Sequence, residues 1–161
     1  MILYHGSTEI VESPKIIISD KFLDFGYGFY TTTSKEQAIR WAKIKKKRIK
    51  TENSYLNIYD IDDFVFSNNL FSILNFDNPN REWLKFVIGN RQGNITHNYD
   101  IIRGPVANDT LYQTFVVYES GILTLEETIK RLKVNKLYDQ LSFHTEIALE
   151  NLKFKEIKLL N

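Results

Sequence analysis

The stretch Phe25-Gly26-Tyr27-Gly28-Phe29-Tyr30-Thr31-Thr32-Thr33-Ser34-Lys35-Glu36-Gln37 holds three local instructions in succession. Two glycines one residue apart let the backbone turn sharply or pass close to another group. The aromatic and β-branched run Phe29 to Thr32 reads as a short strand. Ser34, with Gln37 three residues on, is an N-terminal capping signature. The helix it opens carries Ala38, Ile39, Trp41, Ala42 and Ile44 on a broad apolar side and its lysines elsewhere. Loop, strand and capped helix therefore follow one another directly.

Working outward, Ile2 to His5 reads as a first strand broken by Gly6, and Ile16-Ile17-Ile18 within Lys15 to Ser19 reads as a second. Leu56 to Tyr59 and Phe64 to Phe66 are further strand candidates. Asn80 to Asn90 reads as a helix with Trp83, Leu84 and Val87 on one side. Tyr99 to Ile102 reads as a strand ending at Gly104-Pro105, with Asn108 or Asp109 capping a helix beyond it. Thr124 and Glu127 form a capping box. Leu137 to His144 reads as a late strand, and Ala148 to Leu152 as a short closing segment. Strands and helices mix without strict alternation, which predicts an α+β fold. With 161 residues and no Pro/Gly/Ser linker, one domain spanning 1–161 is expected.

Hydrophobic residues make up 43% of the chain, which places it among globular proteins rather than disordered ones. There is no cysteine, which excludes disulfides, zinc–thiolate sites and a cysteine nucleophile, and fits a reducing cytoplasm. No apolar run reaches the roughly 18 residues of a membrane span, so no membrane partner is expected. The first residues lack the pattern of a signal peptide. Net charge is +1, but Arg40, Lys43, Lys45, Lys46, Lys47, Arg48 and Lys50 cluster without an acid among them. Such a cluster is either a solvated helix face or a basic rim for a phosphate-bearing ligand or nucleic acid.

Two segments suggest chemistry. Leu3-Tyr4-His5-Gly6-Ser7 ends a strand with a ring donor, a close backbone approach and a hydroxyl in consecutive positions. In the second, Phe29 and Tyr30 point to opposite sides of a strand. One faces the core and the other is free to line a cleft, where an aromatic face beside a glycine turn suits stacking of a flat ring such as nicotinamide. Three histidines without cysteine give no metal spacing, so no metal is expected. Neither a Gly-x-Ser-x-Gly elbow nor a P-loop is present. Asp60, Asp62 and Asp63 read as solvated loop acids.

His5-Gly6-Ser7, then Phe25-Gly26-Tyr27-Gly28-Phe29-Tyr30, then Ser34-Lys35-Glu36-Gln37-Ala38 together resemble the NAD-binding signature of the ADP-ribosyltransferase superfamily, in its diphtheria-toxin and poly(ADP-ribose) polymerase branch. The chain also resembles, over nearly its whole length, a bacterial family of small ADP-ribosyltransferase-like proteins of unknown function. The most specific part of the resemblance covers residues 3 to 42. It implies a split or twisted β-sheet core around an NAD cleft, with NAD as co-substrate. It further implies that His5 bonds the adenine-side ribose, that the Gly6 backbone holds the nicotinamide amide and that Tyr30 packs on the nicotinamide ring. Ser7 would be a neighbouring polar contact. Tyr27 replaces the usual lysine of the loop and so removes a cation. Trp41 would supply a second aromatic wall or pack in the core.

The superfamily's late-strand glutamate has two candidates here. Aligning Tyr138-Asp139-Gln140 and Leu152-Lys153-Phe154 with the polymerase pattern puts Gln140 at that position, whereas Glu146 alone carries charge. On one continuous strand Gln140, Ser142, His144 and Glu146 would share a face, with roughly 20 Å between the ends. A glutamine can bond a ribose hydroxyl but cannot offset positive charge or take a proton. The implied activity is mono-ADP-ribosyl transfer from NAD to a protein or nucleic acid. By analogy the protein would be a cytoplasmic bacterial toxin with an antitoxin partner. The alternative is a catalytically inactive module that binds NAD or nucleic acid through the Arg40 to Lys50 helix.

Overall fold

The computed structural model describes residues 1–18, 23–94, 96–107, 109–132 and 138–160. The order is β1 (Ile2–Ser7), β2 (Phe29–Thr31), α1 (Lys35–Ile49), β3 (Ser54–Asp60), a 3-10 turn (Asp63–Phe66), β4 (Ile73–Asn75), α2 (Arg81–Arg91), β5 (Ile101–Pro105), α3 (Asp109–Glu119), α4 (Leu125–Leu132), β6 (Asp139–Phe143), α5 (Glu146–Leu149) and β7 (Lys153–Leu160). The described residues form a mixed α+β fold with two sheets. One has the order β1-β3-β7 and the other β2-β6-β5-β4.

Strand alternation sorts the apolar side chains into layers. Ile2 and Tyr4 of β1 and Leu56 and Ile58 of β3 pack under α1, around Ala38. On the opposite face, Leu3 and Tyr59 meet Phe29, Ile101, Leu141 and Phe143 of the second sheet. The outer face of that sheet, with Tyr30, Leu74 and Ile102, packs on Phe25 and on Trp83, Leu84 and Val87 of α2, together with Phe115 and Leu132. The molecule is thus α1, sheet, sheet, then a helical layer. The sheets meet edge to edge at a single bridge, where Tyr4 and Thr32 exchange both backbone hydrogen bonds at 2.9 and 3.0 Å.

The capping signatures work as their chemistry dictates, with one change. The Ser34 hydroxyl accepts from the Gln37 amide, so α1 starts as expected. The Gln37 side chain does not reach back to Ser34, however. The Thr32 hydroxyl accepts from Ser34 N–H, and it sits 3.0 Å from Gln37 Oε1 and 3.1 Å from Asp139 Oδ1. The capping box at Thr124 and Glu127 closes in both directions.

Several expectations are corrected. Residues 14–18 form no strand, and Ser19 lies outside the described residues. Phe64 to Phe66 is a 3-10 turn, because the Asp62 carboxylate accepts from Phe64 N–H and bends the chain. Trp41 is 54% exposed and Ile44 is exposed too; α1 buries only Ala38 and Ala42, so its apolar contact is narrower than the sequence pattern. The late strand ends at Phe143, and Glu146 opens α5 beneath the Thr145 cap. The Asn108 or Asp109 cap and Leu137 lie outside the described residues and side chains.

Gly6 is where the first sheet and α1 come closest. A Cβ at Gly6 would stand 1.9 Å from the Ala38 carbonyl oxygen and 3.0 Å from the Ala42 nitrogen. Both obstacles are backbone, so the helix as a whole must move to admit a methyl group. Gly6→Ala is therefore expected to cost about 3 kcal/mol, the upper end for overpacking. Its urea midpoint should fall well below that of the wild type; an unchanged midpoint would contradict the close strand–helix contact.

Candidate functional site

His5, Tyr30 and Gln140 lie on β1, β2 and β6. The Tyr4–Thr32 bridge joins β1 to β2, and Tyr30 pairs with Ser142 of β6. The His5 Nδ1 lies 2.7 Å from the main-chain carbonyl oxygen of Tyr30. A carbonyl can only accept, so Nδ1 carries the proton and Nε2 is an acceptor. The ring stacks at 4.5 Å, tilted, on Phe29. Burial pushes the His5 pKa down to about 4, the Tyr30 carbonyl partly offsets this, and the charge of Lys45 lowers it further. The imidazole is neutral at physiological pH.

Gly6 follows at the unbridged edge and is buried against α1. Tyr4 directs its N–H and C=O to Thr32, and by antiparallel alternation Gly6 directs its own to the same edge of β1. No second bridge pairs that edge among the described residues. Ser7 is buried, and its hydroxyl accepts from Glu9 N–H, which closes a local turn. It contributes to the shape of the strand end.

The Tyr30 ring lies on the other side of β2 from Phe29, in the cluster with Phe25 and Trp83. Its hydroxyl donates to Gly26 O at 2.7 Å and accepts from Phe25 N–H at 3.0 Å. Burial, then the nearby Asp24 charge, push its pKa up, so the phenol stays protonated. His5 and Tyr30 thus meet through the Tyr30 backbone, not ring to ring. Two further histidines hold the same glycine loop. His97 Nε2 donates to Phe25 O at 2.8 Å, and His144 Nδ1 donates to Tyr27 O at 2.6 Å. The two imidazoles contact edge to face at 4.7 Å. Burial lowers the His144 pKa to about 4, the Tyr27 carbonyl opposes this, and His97 lowers it further. Tyr27 itself is exposed.

Beneath the loop lies a charge that the sequence reading missed. Asp24 is buried, and its Oδ1 takes Nε and a terminal nitrogen of Arg91. Its Oδ2 accepts from Ala107 N–H at 3.2 Å and from the Gln140 amide at 3.0 Å. Gln140 Nε2 also donates to Pro105 O at 3.2 Å. Both of these partners are acceptors, so the amide orientation is determined and Oε1 is the only polar atom of Gln140 left to meet a ligand. Asp24 immediately precedes the glycine loop, but nothing local marks an aspartate as a buried ion. Glu146, the rival, is exposed on α5, away from the strand face that holds Gln140 and Ser142. Trp41 stands exposed on α1. Among the described residues no group of three His, Asp or Glu side chains could hold a metal ion, and no helix is long and apolar enough to cross a membrane.

This is an α+β protein whose first two strands meet at one bridge, beside which a neutral histidine bonds the carbonyl of Tyr30. Over residues 1–154 the chain matches the family described as protein of unknown function (DUF3990), and it belongs to that family. No curated protein and no solved structure matches it.

The geometry explains why a glutamine occupies position 140. A glutamate there would set a second carboxylate against Asp24 and the Pro105 carbonyl and would remove both donated bonds. Gln140→Glu is expected to destabilise the fold by about 2 kcal/mol or more, and by more than Gln140→Ala. The new carboxyl would have a raised pKa, so the loss should grow between pH 5 and pH 8; equal stability of the two variants across that range would contradict the donor role.

His5 and His144 generate a second expectation. Both have depressed pKa values in the fold, so the unfolded chain binds more protons between about 4 and the ordinary value of 6.5. Their contribution to stability is complete above pH 6.5 and is lost as pH falls towards 4. The urea midpoint should drop between pH 7 and pH 5, and His144→Gln should flatten part of that slope. A slope unchanged by the substitution would contradict the neutral assignment.

Proposed function

We propose that the protein is an NAD-dependent mono-ADP-ribosyltransferase, acting on a macromolecular acceptor. The observation that carries this reading is the edge of β1 that no further bridge pairs among the described residues. There the Gly6 main chain offers a donor and an acceptor of the kind a carboxamide pairs with, next to a neutral His5 whose Nε2 can accept from a ribose hydroxyl. The resemblance over residues 3 to 42 supplies the substrate class. Bound NAD would contribute a glycosidic bond to the ribose carbon whose cleavage releases nicotinamide.

The chain's own residues bind and orient. Tyr30 orients His5 through its carbonyl and ties down the Phe25–Gly26 backbone through its hydroxyl. Nicotinamide stacking on Tyr30, which the resemblance implies, would use the part of the ring that its neighbours leave uncovered. Gln140 Oε1 can hold a ribose hydroxyl but cannot supply charge, and this favours transfer of single ADP-ribose units over polymer synthesis. Glu146 is exposed at the start of α5 and does not stand among these groups. A toxin acting in the cytoplasm and held by an antitoxin remains the cellular setting that the family analogy suggests.

Incubation with NAD labelled in the adenylate moiety, together with a cell extract, tests the reading. Label should pass to a macromolecule with release of free nicotinamide, and His5→Ala should weaken NAD binding about tenfold or more, as loss of a hydrogen bond to a neutral acceptor does when desolvation is included. NAD binding without nicotinamide release or transfer would leave the inactive-module alternative standing in its place.

A further inference from the structure

The outer side of α1 has a composition that its fold does not require. Only Ala38 and Ala42 are buried, so the helix is held to the first sheet by a narrow strip. Arg40, Lys43 and Lys47 recur at spacings of three and four and form one exposed ridge. Trp41, Lys45 and Arg48 form a second row, with Trp41 standing 54% exposed at its start. None of the basic residues from Arg40 to Lys50 has an ion-pair partner among the described residues, whose salt bridges all lie elsewhere. A helix face kept only for solubility gains nothing from an exposed tryptophan among unpaired cations. Aromatic rings interleaved with backbone-neutralising cations are what an unstacked nucleic acid strand requires, since a base can lie on the indole while its phosphates meet the ridge. This row also borders the candidate site. Lys45 is close enough to influence His5 electrostatically, and Gly6 packs on Ala38 and Ala42 of the same helix.

We propose that this face of α1 binds single-stranded nucleic acid, making a nucleic acid strand the acceptor of the transferred ADP-ribose. The acceptor assignment rests on the transferase reading above; the binding does not. An acidic protein would satisfy the cations, but in a nucleic acid strand every phosphate comes with a flat base beside it, so the tryptophan favours a nucleic acid strand.

The two tryptophans allow the test to be read cleanly, because Trp83 is fully buried and only Trp41 can report contact at the surface. A 12-nucleotide oligothymidylate or oligouridylate, without NAD, should quench the intrinsic fluorescence; polyglutamate of equal charge should not. With about four phosphates neutralised, log K against log salt should have a slope near −3, from roughly −0.7 per phosphate. Lys43→Gln with Lys47→Gln should make that slope shallower by about 1.4. Trp41→Ala, followed by anisotropy of a labelled oligonucleotide, should weaken binding about tenfold, within the range of one base–aromatic stack. All three positions are exposed, and thermal melting of the variants should match the wild type. Equal quenching by polyglutamate, or wild-type oligonucleotide affinity in the variants, would overturn the proposal. So would an acceptor label that is removed by protease and untouched by nuclease. Oligonucleotide binding with no label transfer would instead sink the transferase reading and leave the binding face in place.

Discussion

A carboxylate removed from water must be met by donors, and Asp24 is met from three directions. Arg91 comes from α2, Ala107 N–H from the end of β5, and Gln140 from β6, while Asp24 itself belongs to the loop that leads into β2. A single ion thus fixes the position of that loop against three elements distant in the chain. Removing one partner of such a buried pair typically costs about 3–5 kcal/mol, though solvent at the partly exposed Arg91 reduces this. Tyr30 and the two histidines then complete the clamp by bonding the backbone of Phe25, Gly26 and Tyr27. The glycine loop is held from below by charge and from its sides by aromatic rings.

That clamp gives the candidate site its character. The three groups that the sequence singled out carry no charge: His5 is kept neutral by burial, Tyr30 stays protonated and Gln140 spends both amide protons on structure. A site built this way can select and orient a ligand through hydrogen bonds. It has little charge of its own with which to stabilise a developing cation, and its cations lie nearby on α1. The neutral groups and the cations of α1 therefore belong to different layers, joined where Gly6 lets β1 touch α1.

Much of this was legible from residue order alone, because it is local. The Ser34 and Thr124 caps, the Gly26–Gly28 turn, the strand at Phe29 and the α+β mixture follow from short-range sterics and hydrogen bonding. The failures also have physical causes. Phe64 to Phe66 reads as a strand by composition, but the Asp62 carboxylate captures Phe64 N–H and turns the chain. The strand β7 alternates poorly because it is an edge strand, largely exposed, and its partner β3 lies some hundred residues earlier. Ala38 and Ala42, not the larger Trp41 and Ile44, form the contact of α1, since β1 at Gly6 admits only a close, small-residue approach.

The sequence by itself determined the helix caps, the glycine turn and most of the local elements, since each depends on residues within a few positions of one another. Only the tertiary structure decided that Gln140 is a donor to Asp24, that Glu146 leaves the strand for α5 and that His5 meets the Tyr30 carbonyl rather than its ring. Those outcomes depend on which groups burial forces together across more than a hundred residues, and a buried charge chooses its partners by position in space, which no local pattern encodes.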